Sequence, residues 1–403
     1  MKVGDRKIVR IESVAFGGDG IARVDAFVLF VPFSAPDDLA EIEIVTMKKR
    51  FGRARLVSVL EPSPSRTEPR CADYGHCGGC CYQHIAYDAE LAIKQKQVAD
   101  AFVKIAGLTN PPVCSIVPSP EDYGYRGKAV LHVHSAGGRP PIWGFMDVSG
   151  GRIADIARCE IVHESINDQI ARLRRGQGGR PETGDIILWS GDAGTGPVLR
   201  DVKGATFALP RDGFFQNNVY LTGRMVDEVL RLAGSPRFRT VVDACCGVGL
   251  FSLFIAPFAR RVIGVEISQE AVDFARRNAA ERGVHNAEFV AGDIARVLES
   301  DLIAKAGDID LVLIDPPRAG LSAGAIDGLI RLHPPEMIYI SCNPASLARD
   351  TAKLAGAGYQ LSDLVGLDMF PQTQHIELIS RFIDPASAAA SSGPLDAGLL
   401  PSE

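Results

Sequence analysis

The alternation of apolar and polar positions changes along the chain and separates two regions of different architecture. Over the first sixty residues, short runs with β-strand character alternate with turns rich in glycine, proline and aspartate. From about Thr240 onward, buried apolar strands alternate with helical stretches such as Gln269 to Arg282. The first pattern predicts a small β-barrel, and the second predicts a doubly wound parallel sheet.

The predicted elements suggest three folded regions and a tail. The barrel strands are predicted at Lys7 to Val14, Ala26 to Val31, Leu39 to Thr46 and Ala54 to Leu60. The strands of the parallel sheet are predicted at Thr240 to Cys245, Arg261 to Glu266, Ala287 to Val290, Asp310 to Ile314 and Glu336 to Ile340. Prolines and serines make 61–70 a predicted linker, and glycines make 174–184 a predicted exposed loop. We therefore expect domains at 1–60, 61–209 and 210–384, and a disordered tail at 385–403.

The composition is that of a folded protein, with 46% hydrophobic and 23% charged residues. The longest apolar stretch, Val248 to Phe258, is about half of the roughly 20 residues that a membrane span needs. Met1 to Arg10 lacks the apolar stretch of a secretory signal. We therefore expect a cytoplasmic protein with no membrane partner, acting as a monomer. In that compartment the nine cysteines are expected to be reduced and to serve as metal ligands or catalytic groups.

The net charge and the local charge of the chain give opposite indications about nucleic-acid binding. A formal net charge of -6 argues mildly against such a partner, because phosphate binding depends on positive patches. A local basic run is nevertheless present at Lys48, Lys49, Arg50, Arg53 and Arg55. This run is either an RNA-binding patch or a solvated strand edge.

A glycine turn follows the first strand of the predicted sheet. Asp243, Gly247 and Gly249 stand at this turn, where missing side chains let the backbone approach a ligand closely. Glu266 ends the second strand, where a carboxylate can accept hydrogen bonds from ribose hydroxyls. Because Ser252 replaces the third glycine of a dinucleotide fingerprint, the turn resembles S-adenosylmethionine methyltransferases more than dehydrogenases.

Further polar residues follow the later strands. Asp293 follows the third strand and is interpreted either as an adenine contact or as a helix N-cap. Asp315 follows the fourth strand, and Cys342 follows the fifth. The carboxyl ends of strands in an open α/β sheet line one crevice, so these residues are expected beside the cofactor. Taken alone, Cys342 is either a nucleophile or a packed strand-end cysteine.

Three motifs in a fixed order bring these residues together. They read Asp315-Pro-Pro-Arg-x-Gly, Ser341-Cys-Asn-Pro and Asp368-Met-Phe-Pro-x-Thr-x-His-x-Glu. In this combination the chain resembles the uridine-5 RNA methyltransferase family along nearly its whole length. The resemblance implies that Cys342 adds to carbon 6 of uracil and that Glu377 removes the proton from carbon 5. Cytosine-5 enzymes carry an additional cysteine where this chain has Pro316-Pro317-Arg318, so uridine is favoured.

The same resemblance implies roles for residues around the reacting centre. Phe214-Phe-Gln-Asn-Asn resembles the family's Phe-x-Gln-x-Asn element, which makes Gln216 a cofactor contact and Phe214 a stacking group near the target base. Asp315 would contact the methionine end of the cofactor or the base. Cys245 stands where relatives have an aromatic residue beside the cofactor, so different packing is expected there.

A cysteine-rich segment carries Cys71, Cys77, Cys80 and Cys81 within eleven residues. Its spacing fits either zinc or an iron-sulfur cluster. Part of the family carries Cys-x5-Cys-x2-Cys, then Gln-His, and a distant fourth cysteine. The resemblance therefore implies a 4Fe-4S cluster on Cys71, Cys77, Cys80 and Cys159, with Cys81 as a spare.

The resemblance also suggests the RNA target. The β-rich start resembles the TRAM RNA-binding domain, and Tyr125-Arg126-Gly-Lys128 resembles a basic family segment, which implies RNA contacts by Arg126 and Lys128. The implied fold class is α/β, with a Rossmann-like class I methyltransferase domain, an N-terminal TRAM or OB-like barrel and a central iron-sulfur-containing α+β region. A TRAM domain with an iron-sulfur motif implies 23S rRNA as the substrate. The alternatives are the same reaction on tRNA, or a catalytically silent, metal-stapled RNA-binding protein.

Overall fold

The structure is a computed structural model that describes residues 1–113, 115–135, 141–177, 183–192, 194, 196–234 and 238–386. Part of the predicted loop at 174–184 and almost all of the predicted tail lie outside the described residues. No helix among the described residues is both long enough and apolar enough to cross a membrane.

The N-terminal region is a curled sheet of six strands. They are β1 (Arg6–Arg10), β2 (Ser13–Val14), β3 (Gly20–Val24), β4 (Phe27–Val31), β5 (Leu39–Met47) and β6 (Phe51–Glu61), in the order β1-β5-β6-β4-β3-β2. The Glu12 N–H donates to the Ile21 carbonyl at 2.8 Å, which joins the segment after β1 to β3. Because only Ile11 and Glu12 separate β1 from β2, the two edge strands of the order, the sheet closes on itself and the predicted barrel is confirmed.

One predicted barrel strand is wrong in its extent. The run Lys7 to Val14 forms two strands, β1 and β2, because Ile11 and Glu12 leave the strand. The Ile11 N–H donates instead to the Asp38 carbonyl at 2.9 Å, and the Ile11 side chain is fully buried among the barrel residues. An alternating sequence pattern does not reveal such a corner.

The central region contains a long helix, a shorter helix, a small antiparallel sheet and a two-stranded hairpin. Its elements are α1 (Tyr87–Lys104), β7 (Lys128–His134), β8 (Ile142–Met146), β9 (Ile153–Asp155), α2 (Glu164–Arg174), β10 (Gly184–Trp189), β11 (Val198–Val202) and β12 (Ala205–Leu209). Ile166 and Ile170 of α2 pack against Leu131 and Trp143 of the sheet β10-β7-β8-β9. Strands β11 and β12 pair as a hairpin that leads into the last region.

The C-terminal region is a seven-stranded sheet with helices on both faces. Its elements are α3 (Thr222–Ala233), β13 (Phe238–Ala244), α4 (Leu250–Ile255), a 3-10 turn (Ala256–Phe258), β14 (Ala259–Glu266), α5 (Gln269–Glu281), β15 (Ala287–Ala291), α6 (Ile294–Leu298), α7 (Asp301–Ala304), β16 (Ile309–Ile314), α8 (Ala323–Leu332), β17 (Glu336–Ser341), α9 (Pro344–Gly356), β18 (Gln360–Leu367) and β19 (Glu377–Ile383). The strand order is β15-β14-β13-β16-β17-β19-β18, and β13 to β17 run parallel. This confirms the predicted α/β class.

The two faces of this sheet are covered by different sets of helices. Helices α3, α4 and α5 contribute to the core on one face. Helices α6, α8 and α9 contribute to the other, together with Val98 and Phe102 of α1. The central region is therefore attached to the sheet through α1, which lies against α9.

Candidate active site

The turn after β13 adopts backbone conformations that suit a ligand cradle. Cys245, Gly247 and Gly249 all have positive φ, at 65°, 55° and 88°. A β-carbon on Gly249 would lie 3.3 Å from the ring of Phe289, so close packing adds to the conformational reason for glycine there. Cys245, although not glycine, takes the same left-handed region, a conformation that is uncommon outside glycine and often marks functional turns.

Buried and partly buried carboxyl groups surround this turn. Asp243 is fully buried and accepts a hydrogen bond from the Ser252 hydroxyl, while its second oxygen has no partner. Burial raises the pKa of Asp243 to about 7, against the opposing effect of the Ser252 hydrogen bond. Asp315 is partly accessible beside it, and burial followed by the charges of Asp243 and Glu266 raises its pKa to about 8. Such a group of acids favours a cationic ligand, because a nearby cation stabilises the ionised carboxylates.

Gln216, Glu266 and Asp293 join this group with different local partners. The Gln216 side-chain amide lies 3.5 Å from the Asp315 carboxylate, which links the Phe-x-Gln-x-Asn element to the end of β16. The Glu266 carboxylate accepts backbone N–H groups of Gly247 at 3.1 Å and Ser268 at 3.0 Å, and thereby braces the turn. Asp293 caps α6 by accepting from the Ala295 N–H at 3.0 Å. The capping interpretation of Asp293 is thus observed, whereas its contact with adenine stays a prediction.

Cys342 stands between the end of β17 and the start of α9. The flanking residues hold this short connection, since the Asn343 N–H donates to the Ser341 hydroxyl and the Asn343 side chain caps α9. Cys342 is half-buried. Burial raises the pKa of its thiol to about 11, Glu377 adds to the rise, and the Arg318 guanidinium opposes it.

Glu377 begins β19 and is almost fully buried, at 4% exposure. Strand β19 runs antiparallel to β17, and the pairing puts Leu378 opposite Ser341. One step further along this register, position 377 faces position 342, so the reversed strand brings Glu377 to the same sheet edge as Cys342. Burial and the nearby Asp315 raise the pKa of Glu377 well above its usual range.

The two basic residues proposed for RNA have definite intramolecular partners. The Lys128 ammonium donates to the Gly213 carbonyl at 2.5 Å and lies 4.8 Å from the centre of the Trp189 ring. Arg126 donates through its Nε to the Lys128 carbonyl at 3.1 Å. Lys128 thereby holds the turn before Phe214, whose side chain is 68% exposed. An exposed phenyl ring on a braced turn is suited to stacking on a base.

Sequence reasoning missed Arg318, Ile267 and the partner of Asp243. Arg318 lies within the Asp-Pro-Pro-Arg motif, and its position in the motif could have identified it as a charge beside the thiol. Ile267 follows Glu266 and is 76% exposed, an apolar side chain left open beside the cofactor turn. Ser252 was noted only as a missing glycine, although its hydroxyl satisfies Asp243.

The four cysteines proposed as ligands line one cavity of about 350 Å³. They are Cys71, Cys77 and Cys80 from the cysteine-rich segment and Cys159 from the loop before α2. Cys81 does not line this cavity and is packed against Gly18 of the barrel. Within the described part of the chain, no three His, Cys, Asp or Glu side chains converge as ligands of a single metal ion. Burial raises the pKa of the Cys159 thiol to about 11.

Comparisons with known proteins identify the family of this chain. The profile of the tRNA (uracil-5-)-methyltransferase family matches residues 200–379, and the TRAM domain profile matches residues 1–57. The 23S rRNA (uracil(1939)-C(5))-methyltransferase of Salmonella typhi is 31% identical over 93% of this chain and 95% of its own length. The tRNA (uracil(54)-C(5))-methyltransferase of Schizosaccharomyces pombe is 32% identical, over 92% of this chain and 77% of its own.

A solved structure shares the whole architecture. The Pyrococcus abyssi tRNA (uracil-54, C5)-methyltransferase, in complex with S-adenosyl-L-homocysteine, superimposes with a TM-score of 0.70 at 24% identity. The match covers 94% of this chain and 100% of that one, so the fold is shared from barrel to sheet. The chain therefore belongs to the RNA uracil-5-methyltransferase family, whose reaction transfers a methyl group from S-adenosylmethionine to carbon 5 of uracil in RNA.

Proposed function

We propose that this enzyme methylates a uridine of 23S rRNA through a covalent bond between Cys342 and carbon 6 of the uracil. The observation that carries the covalent step is the register of β17 and β19, which brings Cys342 and Glu377 to one edge of the sheet. A thiol and a carboxyl group at one edge are the two groups that addition and elimination at a pyrimidine ring require.

The acidic turn suits the methyl donor. S-adenosylmethionine supplies an activated methyl group, and its cationic centres would meet the carboxylates of Asp243 and Asp315. The unpartnered oxygen of buried Asp243 and the raised pKa of Asp315 both indicate a site that lacks a positive partner. Gln216 would orient Asp315, and Glu266 and Asp293 would accept hydrogen bonds from the ribose and adenine ends. The open space around Gly247 leaves the backbone of the turn accessible to the donor.

Each step at the base uses a residue of this chain. The Cys342 thiolate forms a bond to carbon 6, and the electrons of the ring double bond move toward the carbonyl oxygen at carbon 4. Carbon 5 thereby becomes nucleophilic enough to take the methyl group of S-adenosylmethionine, whose bond from sulfur to the methyl carbon would break and leave S-adenosylhomocysteine. The Glu377 carboxylate then removes the proton on carbon 5, the double bond forms again, and the bond from sulfur to carbon 6 breaks. Arg318 favours the thiolate form of Cys342.

A 4Fe-4S cluster on Cys71, Cys77, Cys80 and Cys159 is part of the proposal. Four thiols spread around a cavity of about 350 Å³ suit a cluster of several atoms better than one zinc ion, whose bonds to sulfur are only about 2.3 Å long. Such a cluster would join the cysteine-rich segment to the loop before α2. Its role here is structural, because it lies in the central region and not at the edge that carries Cys342.

The choice of 23S rRNA depends on two features together. The TRAM match at residues 1–57 and the cysteine cavity are the combination expected of an enzyme for ribosomal RNA. The similarity to the Schizosaccharomyces pombe enzyme keeps tRNA as the rival substrate.

Unmodified transcripts of 23S rRNA and of tRNA should be incubated with enzyme and labelled S-adenosylmethionine. Methylation of the tRNA transcript alone would contradict our choice.

The covalent mechanism makes distinct predictions for two substitutions. Cys342→Ala should abolish both the denaturant-resistant adduct with 5-fluorouridine RNA and all methylation, because no thiolate can add to carbon 6. Glu377→Gln should still transfer the methyl group but remain bound to ordinary RNA, because the proton on carbon 5 is not removed. Gel electrophoresis under denaturing conditions and methyl counting measure both effects. Methylation by Cys342→Ala, or the absence of any adduct with wild type, would contradict the mechanism.

A further inference from the structure

A buried ammonium group lies between the central helix and the segment that precedes Glu377. Lys94 of α1 is fully buried, and its Nζ lies 2.6 Å from the Asp368 carboxylate and 2.7 Å from the Glu90 carboxylate. Both acids are fully buried as well. A buried charge is tolerated only when it is paired and hydrogen-bonded, so this group of three is a specific arrangement and not a surface ion pair.

The ammonium and its partner Glu90 hold the backbone of the 368–372 segment. Lys94 also donates to the Phe370 carbonyl at 3.3 Å, and the Gln372 N–H donates to Glu90 at 2.8 Å. Gln372 itself has a φ of 68°, which is unusual for a residue other than glycine. Its carbonyl accepts the N–H groups of both Cys81 and Tyr82, at 2.9 Å and 3.1 Å. The segment is thus tied at several points to α1 and to the residues directly before that helix.

The 368–372 segment lies in the short connection between β18 and β19, two neighbouring strands of the C-terminal sheet. Asp368 follows Leu367, the last residue of β18, and the pairing of β18 with β19 puts Leu367 opposite Glu377. Asp368 is therefore the first residue beyond the pair that contains Glu377. The turn between them is internally braced, because Thr373 donates through its hydroxyl to the Phe370 carbonyl at 2.8 Å and the rings of Phe370 and His375 are in edge contact.

The surrounding carboxylates keep Lys94 in its charged form. Although burial alone lowers the pKa of Lys94, the carboxylates of Asp368 and Glu90 raise it by more, so the ammonium form is retained. Burial raises the pKa of Glu90 and the charge of Asp368 adds to the rise, whereas the Lys94 ammonium opposes it. The ion pair between Lys94 and Asp368 therefore joins α1 to the segment that leads to Glu377.

We propose that Lys94 is a positioning residue for the reaction, which holds Glu377 in place for proton removal through Asp368 and the Phe370 carbonyl. This inference rests on the proposed role of Glu377. It assigns to α1 a function in the last chemical step, although α1 lies outside the methyltransferase sheet.

The test compares Lys94→Met with Lys96→Met. Methionine keeps an unbranched side chain of similar length and removes the charge, and Lys96 lies on the exposed side of the same helix, paired with Asp100 at 2.9 Å. For Lys94→Met we expect turnover on ordinary RNA to fall by roughly tenfold to a hundredfold, the range that a small misplacement of a catalytic group costs. Methylated RNA covalently bound to the protein should accumulate. Lys96→Met should behave as wild type in both measurements.

A purely structural role would give a different result. If Lys94 only stabilised the fold, its loss would slow adduct formation with 5-fluorouridine RNA and weaken S-adenosylmethionine binding along with turnover. We expect both of these to stay within about threefold of wild type, because neither needs the carbon 5 proton to be removed. Lower turnover without accumulation of the methylated adduct, or unchanged turnover, would overturn the proposal.

A second variant covers the case in which Lys94→Met does not fold. Asp368→Asn keeps an oxygen near the ammonium and leaves Glu90 as its charged partner, so a milder loss with the same accumulation of adduct is expected. Absence of that accumulation in folded Asp368→Asn overturns the inference. The proposed function is judged separately, because it fails if wild type forms no adduct with 5-fluorouridine RNA.

Discussion

At the scale of single residues, the protonation of Cys342 decides whether the first step can occur. The free thiol of Cys342 has its pKa raised to about 11, so most molecules carry the neutral thiol at physiological pH. Thiolate, and not thiol, is the nucleophile. Arg318 is the residue that opposes the rise, and it therefore controls the small reactive fraction.

The rate of adduct formation should consequently depend on pH. Below the raised pKa, each added pH unit increases the thiolate fraction about tenfold, so the rate with 5-fluorouridine RNA should climb between about pH 6.5 and pH 9. Arg318→Gln should slow the reaction at every pH in this range, because the thiol pKa rises further without the guanidinium. Rapid-quench measurements under single-turnover conditions provide the rates. Arg277→Gln on the exposed side of α5 is the control, and a flat pH profile would contradict this assignment.

At the scale of elements, the turn from β13 to α4 combines backbone conformation with close packing. Gly249 has a φ of 88° and lies against the Phe289 ring and Ala275. The turn is thus defined both by its own conformation and by a neighbour from β15. A side chain at this position would disturb the cradle as well as the local backbone.

Substitution of Gly249 should test that combination. Gly249→Ala is expected to cost about 1–2 kcal/mol for the left-handed conformation alone, with a further penalty from the 3.3 Å contact with Phe289. S-adenosylmethionine affinity should fall with it. Gly283→Ala is a matched control, because Gly283 also has positive φ but has open space around it. Calorimetry of binding and thermal unfolding measure both effects, and equal losses in the two variants would argue against the packing effect.

The elements also show where sequence reasoning succeeds and where it stops. Apolar runs such as the one in β13 predict the parallel strands, because a strand buried on both faces needs apolar residues at every position. The direction of β19 could not be predicted, since an antiparallel insertion has the same apolar pattern as a parallel one. The burial of Lys94 could not be predicted either, because Glu90 and Lys94 at i and i+4 have the spacing of an ordinary exposed ion pair on a helix. The roles of Cys342 and Glu377 rested on motif resemblance and stay predictions.

At the scale of the whole molecule, the three regions meet around the cysteine-rich segment. Cys81 contacts Gly18 of the barrel, the Cys81 N–H bonds to the segment before Glu377, and Cys159 belongs to the central sheet region. A cluster on the four cavity cysteines would therefore stabilise the arrangement of regions that the reaction uses.

Removal of one distant ligand tests this arrangement. Cys159→Ser should reduce the iron and acid-labile sulfide of protein purified without oxygen, lose the brown colour, and lower the thermal stability, because one of four thiolates is missing. Cys81→Ser is the control and should keep its iron, since Cys81 does not line the cavity. Metal analysis and visible absorbance give the answer. Colourless wild-type protein that contains zinc would overturn the cluster assignment.

The reversed direction of β19 has a practical consequence for labelling. Because Glu377 begins this seven-residue strand at the reacting edge, the strand carries the chain about 20 Å away to the opposite edge. There, the Asp384 N–H bonds to the Pro335 carbonyl. A fluorophore attached just after Asp384 would thus sit about 20 Å from the strand end that carries Glu377. Energy transfer from such a probe to labelled RNA could follow the binding and release of the RNA without altering the methylation reaction.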